Sequence, residues 1–310
     1  MGEVRIEPGG DRVVIATIVN PPHGLMDDGV VDGLESLVER AESDPELTGV
    51  VLTGAHPERF VAHYDVAELL AAARASPSVG AGAARVSLTA VGALRRVPGA
   101  SAALARTPAA GLDAAERFGE VLLRFNRAGA VMVAAINGSA LGGGCELALA
   151  CDVRLMARGP FSIGQPEILF AFSPGGGGTQ RLARLLGSGR ALRLCLDGGP
   201  LDPVTAEDIG LIDELVAPDE LLERALAVAT RFSRRPKSGI AGVKRSVYLG
   251  ASQSLPAGLR TERAEFLAAI VSNDADRAMA AYVETLERTG ELPAYDAEAL
   301  KRALDEGRFA

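Results

Sequence analysis

Cysteine is scarce in this chain: Cys145, Cys151 and Cys195 are the three among 310 residues, and no CxxC pair or Cys/His ligand spacing joins them. An odd, unpatterned set argues against a disulfide scaffold, and no metal ligand is assigned. Two of the thiols lie in apolar runs, where a buried free cysteine is the default, so a reducing, cytoplasmic setting is expected. Basic charge is also short, with 32 Lys and Arg against 40 Asp and Glu, a net charge of −8 and no Lys/Arg run. Such a balance attracts polyanions poorly, so nucleic acid is not an expected partner, although a local cationic patch for one small anion stays open. No apolar stretch of about 18 residues free of charge occurs, and no membrane span is expected. The opening MGEVRIEPGGDRVVIATI lacks a basic region followed by a long apolar one, so no signal peptide is read. Neither GxGxxG nor a Walker pattern is present, which disfavours nucleotide phosphate as the ligand.

What remains is an ordinary globular composition, 48% apolar and 23% charged, in a chain long enough for a large core. Hydrophobic periodicity predicts strands at residues 12–20, 49–53, 130–136, 153–157 and 211–216. It predicts helices at 31–43, 112–127, 146–150 and 205–209, and later at 221–232, 237–250, 259–272 and 274–287. The strand–helix–strand order favours an α/β fold with parallel pairing and right-handed crossovers. The domain reading is a core over residues 1–218 and a helical C-terminal region over 219–310. Residues 71–111, rich in Ala, Gly, Ser, Pro and Arg, read as a mobile substrate loop enclosing a short helix.

The chemistry concentrates in INGSALGGGCELALACD (residues 136–152) and in the downstream segments IGQPEI and PGGGGTQRL. Gly142, Gly143 and Gly144 follow a buried strand and open a helix, so free N–H groups and the positive helix end face whatever approaches them. That suits a developing oxyanion, and it equally suits a plain strand-to-helix turn. Glu146, in the apolar run CELALAC, and Glu167, after Pro166 in IGQPEILFAF, both sit where lost hydration raises a carboxyl pKa toward neutrality. Each alone is also a favourable first-turn glutamate; the two together, flanking an oxyanion turn, favour acid–base work. A second N–H donor is sought in RFVAHYDV (residues 59–66), the loop beyond the strand at 49–53.

In order and spacing these segments resemble the enoyl-CoA hydratase/isomerase (crotonase) superfamily, over about residues 12–285. The resemblance implies a spiral of ββα turns with a helical C-terminal region that forms a homotrimer, often a dimer of trimers forming a hexamer. Carried over by position, it implies an oxyanion hole of the Tyr64 and Gly143 N–H groups. It implies Glu146 as the base that activates water toward Cβ and Glu167 as the acid that protonates Cα. Ala62, His63, Asp65, Gly142 and Gly175 fall at substrate-binding positions. The implied activity is a hydro-lyase of fatty-acid type acting on a 2-enoyl-CoA, with no cofactor beyond the CoA that carries the acyl group. Enoyl-CoA isomerisation, non-CoA β-diketone cleavage and a non-catalytic binding role are the other readings. The chain departs from the family pattern at His63 and Tyr64 in the donor loop, which puts the left-handed backbone tolerance of His to use. It departs again at Ala67 and Thr285, where cations that meet CoA are usual.

Overall fold

A computed structural model describes residues 1–76, 78–95, 97, 99–104, 107 and 110–309. The chain opens with an antiparallel pair, β1 (Glu3–Gly10) and β2 (Val13–Val19), followed by α1 (Asp28–Ser43). One pattern then recurs: a strand of a large sheet, a strand of a small sheet, and a helix. It runs first through β3 (Gly49–Gly54), β4 (Arg59–Val61) and α2 (Val66–Ala75), after which α3 (Ala81–Leu94), α4 (Ala100–Leu104) and α5 (Ala110–Phe125) are added. The second round is β5 (Val131–Ile136), β6 (Ser139–Leu141) and α6 (Gly143–Ala150). The third is β7 (Val153–Ala157), β8 (Ile163–Gly164), a 3-10 turn at Glu167–Phe170 and α7 (Gly178–Leu186), with α8 (Ser188–Asp197) behind it. After α9 (Pro203–Asp208) and β9 (Glu214–Val216) come α10 (Leu221–Ser233), α11 (Lys237–Tyr248), α12 (Leu255–Ile270), α13 (Asn273–Thr289) and α14 (Ala297–Glu306).

The large sheet runs β1-β2-β3-β5-β7-β9, parallel everywhere except β1 against β2, and the small sheet runs β4-β6-β8, parallel throughout. Both faces of the large sheet are covered, which is why its strands read as near-continuous apolar runs. Alternate residues such as Val50, Leu52, Met132 and Ala134 join the main core with α1, while Val51, Val133, Ala135 and Leu155 pack against Leu221, Ala225 and Ala229 of α10. Among the described residues no helix is long and apolar enough to cross a membrane.

Two expectations are corrected here. Residues 71–111 are not a loop with one short helix; the described part is mostly helical, in α2, α3, α4 and the start of α5. Alanine is the best helix former, and few large side chains are needed where ion pairs take over. Arg95 reaches Asp113 at 3.0 Å and Glu35 at 3.4 Å, and Val91 is buried. The strand expected at 211–216 shrinks to β9, because Leu211 and Ile212 instead donate their N–H groups to Ala206 O and bury their side chains in the core. Strand β1 and helices α7, α8 and α14 were not anticipated.

The last residue of the glycine motif, Asp152, fastens α11 to the sheet. Its Oδ2 accepts from Lys244 Nζ at 2.6 Å and from Met132 N at 2.8 Å, and its Oδ1 accepts from Tyr248 Oη at 3.0 Å. Lys244 also donates to Ala130 O at 2.7 Å. Breaking a buried pair from one side leaves a stranded charge, so Lys244→Met is expected to cost about 3–5 kcal/mol. A lowered urea midpoint would show it, and adding Asp152→Asn should restore part of the loss.

Candidate active site

The small sheet frames the site. Leu141 N donates to Ala62 O at 3.1 Å and Gly142 N to Gly164 O at 2.9 Å, which ties β6 to the ends of β4 and β8. Helix α6 then begins against the donor loop so tightly that a Cβ on Gly144 would lie 2.1 Å from Val61 O; only glycine fits there. Gly143, the first residue of α6, carries an N–H with no intrahelical acceptor. A Cβ on Gly143 would lie 3.4 Å from Tyr64 N, so the two backbone groups are neighbours. Tyr64 pairs with Met26 through the His63 carbonyl and the Asp65 N–H, at 2.8 and 2.7 Å. Its own N–H takes no part in that pairing.

Beside this N–H pair lies a cavity of about 300 Å³. Glu146 and Glu167 both line it, as do Tyr64, Gly143, His63, Gly142 and Gly175. Ala62 and Asp65 do not: Ala62 is held by backbone bonds to Gly24 and Leu141, and Asp65 caps α2 by accepting from Ala67 N at 2.8 Å. Both therefore hold the donor loop in place. His63 keeps ordinary right-sided backbone, since left-handed non-glycine residues among those described are Arg12 and Ala171. Its ring faces the cavity with Nδ1 donating to Tyr64 O at 2.8 Å. The Tyr64 ring meets Phe118 edge-on at 5.7 Å, which brings an aromatic wall up to the donor loop.

The carboxyls differ in how they are held. Glu146 is 3% exposed, and its Oε1 accepts from Gly176 N at 2.7 Å and Gly178 N at 2.8 Å. Burial pushes its pKa up, while those N–H groups and the Arg181 charge pull it down. A Cβ on Gly176 would lie 2.5 Å from Glu146 Oε2 and 2.3 Å from the Phe118 ring, so this donor too has to be glycine. Glu167 opens the 3-10 turn, and burial, reinforced by the Glu146 charge, raises its pKa to about 7. With the Gln165 amide turned to suit its neighbours, its N–H₂ donates to Glu167 Oε1 at 2.8 Å and Oε2 at 3.1 Å. Two carboxyls with raised pKa values and a pair of neighbouring N–H donors on one cavity can move protons about a carbonyl compound whose oxygen the N–H groups hold.

A sequence model of the enoyl-CoA hydratase/isomerase family matches residues 102–290, more than half of the chain. The chain belongs to that family. It is 32% identical over 278 residues to a probable enoyl-CoA hydratase of Mycobacterium leprae, covering 89% of this chain and 93% of the relative. It is 28% identical over 290 residues to the short-chain-enoyl-CoA hydratase of Clostridium acetobutylicum, covering 92% and 95%. The crystal structure of an enoyl-CoA hydratase from Bacillus anthracis superposes with a TM-score of 0.72 at 25% identity, covering 91% and 96%. The expected crotonase-like spiral is therefore the fold of this hydratase/isomerase family member.

Sequence reading missed several groups at the site. Gly176 and Gly178 lay in the quoted glycine turn but had no role until their N–H groups were seen on Glu146. Gln165 lay inside IGQPEI without a partner, and Phe118 belonged to a helix with no link to the motif. Asp28 and Glu68 also line the cavity; Glu68 Oε2 is buried without a hydrogen-bond partner among the described residues. Burial, then Asp28 and Asp27, raise the Glu68 pKa.

The Glu167 shift predicts a pH-dependent stability. Its folded pKa is about 7 against an ordinary 4.5, so the folded state holds the proton more tightly. Its favourable contribution is complete below the unfolded pKa and is lost as pH rises through the folded one. Glu167→Gln should therefore melt above the wild type at pH 8, with the gap closing as pH falls toward 5. A gap that does not change with pH would contradict this.

Proposed function

We propose that this chain adds water to 2-enoyl-CoA thioesters, or removes it from the 3-hydroxyacyl products. The observation that carries the reading is that Glu146 and Glu167 share one cavity with the adjacent Tyr64 and Gly143 N–H groups. The thioester oxygen accepts from those two N–H groups. Glu146 takes a proton from water as the oxygen bonds to Cβ, and the double-bond electrons pass to Cα and the carbonyl, giving an enolate. Glu167 then delivers its proton to Cα. Because Glu167 works as an acid from a pKa of about 7, the hydration rate should fall as pH rises above that value. No cofactor other than the CoA carrier enters the proposed reaction.

The same reading extends to assembly and setting. Helix α12 has no buried residue, yet carries Leu255, Phe266 and Leu267, each more than half exposed. Apolar surface of this kind marks an interface, which supports a homotrimer, paired or not into a hexamer, built through the C-terminal helices. Free cysteines, two of them buried, accord with a reducing cytoplasm.

The test is loss of enoyl-thioester absorbance with crotonyl-CoA and longer 2-enoyl-CoAs, alongside 3-enoyl-CoA isomers and a β-diketone. Turnover is expected on the 2-enoyl-CoAs, and none from a folded oligomer would sink the hydratase reading. Glu146→Gln and Glu167→Gln should each lower kcat by about 10²-fold or more. Wild-type rates in both would remove them from the reaction.

A further inference from the structure

The segment PGGGGTQRL holds a cation that the reaction above leaves unused. Arg181, in the first half of α7, donates from Nη1 to Gly176 O at 2.9 Å and from Nη2 to Asn126 Oδ1 at 3.2 Å. Its guanidinium lies directly under the turn, where a Cβ on Gly177 would come 2.1 Å from Nη1. Asn126 is buried, and its amide donates at 3.0 Å to the carbonyl of Ala150, the last residue of α6. A continuous path therefore runs from the helix that carries Glu146, through Asn126 and Arg181, to the turn whose N–H groups hold the Glu146 carboxylate.

Both guanidinium bonds end on neutral oxygens, although a charge withdrawn from water is costly unless it is compensated. Burial lowers the Arg181 pKa, and Glu146 is the charged group that most opposes this. Reciprocally, Arg181 helps the glycine N–H groups to lower the Glu146 pKa against burial. The other titratable groups around Glu146 are Glu167 from the 3-10 turn, Cys145 beside it on α6 and Cys195 from α8, with His63 lining the same cavity. Around Arg181 they are Arg184 on its own helix, Tyr248 from α11 and Cys151 at the end of α6. In this set Arg181 is the cation that favours an ionised Glu146.

We propose that Arg181 is a positioning residue for the water-activating base: it braces the 176–178 turn and supplies a positive field that favours the carboxylate form of Glu146 within the cavity. This rests on the reading of Glu146 as that base. Arg181 touches no reacting atom in it; it acts through the turn and through its charge.

The test is the titration of Glu146 itself, followed by infrared difference spectra of protein labelled with ¹³C-glutamate, with Glu146→Gln identifying the band. Removing the cation in Arg181→Gln should raise the Glu146 midpoint by about one pH unit or more, with Arg181→Lys shifting it less. The acid limb of kcat/KM for 2-enoyl-CoA hydration should move by the same amount. At a pH well below the wild-type midpoint, kcat should fall about tenfold while KM changes little. An unchanged midpoint in folded Arg181→Gln overturns the proposal. Should that variant fold poorly, Arg181→Lys and Asn126→Ala, which slacken the brace but keep the charge, carry the test. Both are expected to lower kcat, and wild-type kcat and midpoint in both overturn the proposal. A wild type without turnover counts against the hydratase reading alone, because the infrared titration still reports whether Arg181 sets the charge of Glu146.

Discussion

The site depends on one close approach, the start of α6 against the end of β4. Because Gly144 has no side chain, the helix sits close enough to Val61 for the Gly143 and Tyr64 N–H groups to become neighbours. Neither group could be brought there by side-chain packing alone. They belong to segments about 80 residues apart in sequence, joined only through the small sheet. That three-stranded sheet is short in every strand, yet its hydrogen bonds decide where the donor loop, the glycine helix and the segment before Glu167 meet. The large sheet supplies rigidity and burial, and the small one supplies aim.

The same economy of side chains governs the two carboxyls. Glu146 is almost fully withdrawn from water, which raises its pKa, and two glycine N–H groups on one oxygen oppose that rise. Those donors exist only because the turn at 176–178 is glycine, leaving room for the Phe118 ring and the carboxylate together. Glu167 has a different setting: burial, reinforced by the negative Glu146 nearby, raises its pKa to about 7. Burial raises the pKa of both side chains, but backbone N–H groups and the Arg181 charge oppose the rise at Glu146, while the Glu146 charge adds to it at Glu167.

How much of this was legible follows from whether the signal was local. Strands β3, β5 and β7 and helices α1, α10, α11 and α13 declared themselves by period, because both faces of the sheet and one face of each helix are apolar. The glycine triplet and both glutamates stood out because charge or glycine interrupts apolar sequence. The small sheet did not, since strands of two or three residues leave no period to read. The helices within 71–111 are masked by an Ala-, Gly- and Ser-rich composition with little apolar period, while their fixation by Arg95 to Glu35 and Asp113 is a tertiary matter. The partners of Glu146 and Glu167 were present in the quoted motifs, but a backbone N–H carries no mark in a sequence. Ala62 and Asp65 flank the donor loop in sequence and serve as its anchors in space.

The charges around the cavity constrain the substrate further. Asp28, Glu68, Glu146 and Glu167 line it, and among the described lining residues there is no lysine or arginine. A thioester that becomes an enolate there adds negative charge beside carboxyls, so N–H dipoles must bear most of its stabilisation. Burial raises the pKa of Glu167 and Glu68, which relieves part of the repulsion, and the glycine donors and, across the turn, Arg181 offset negative charge on Glu146. An acyl group with its own carboxylate would undo that balance. The remaining wall, including Val66, Leu69, Ala114, Phe118, Phe170 and Phe172, is apolar and suits an uncharged hydrocarbon chain. An uncharged acyl chain is therefore the group that this lining accommodates with the least repulsion.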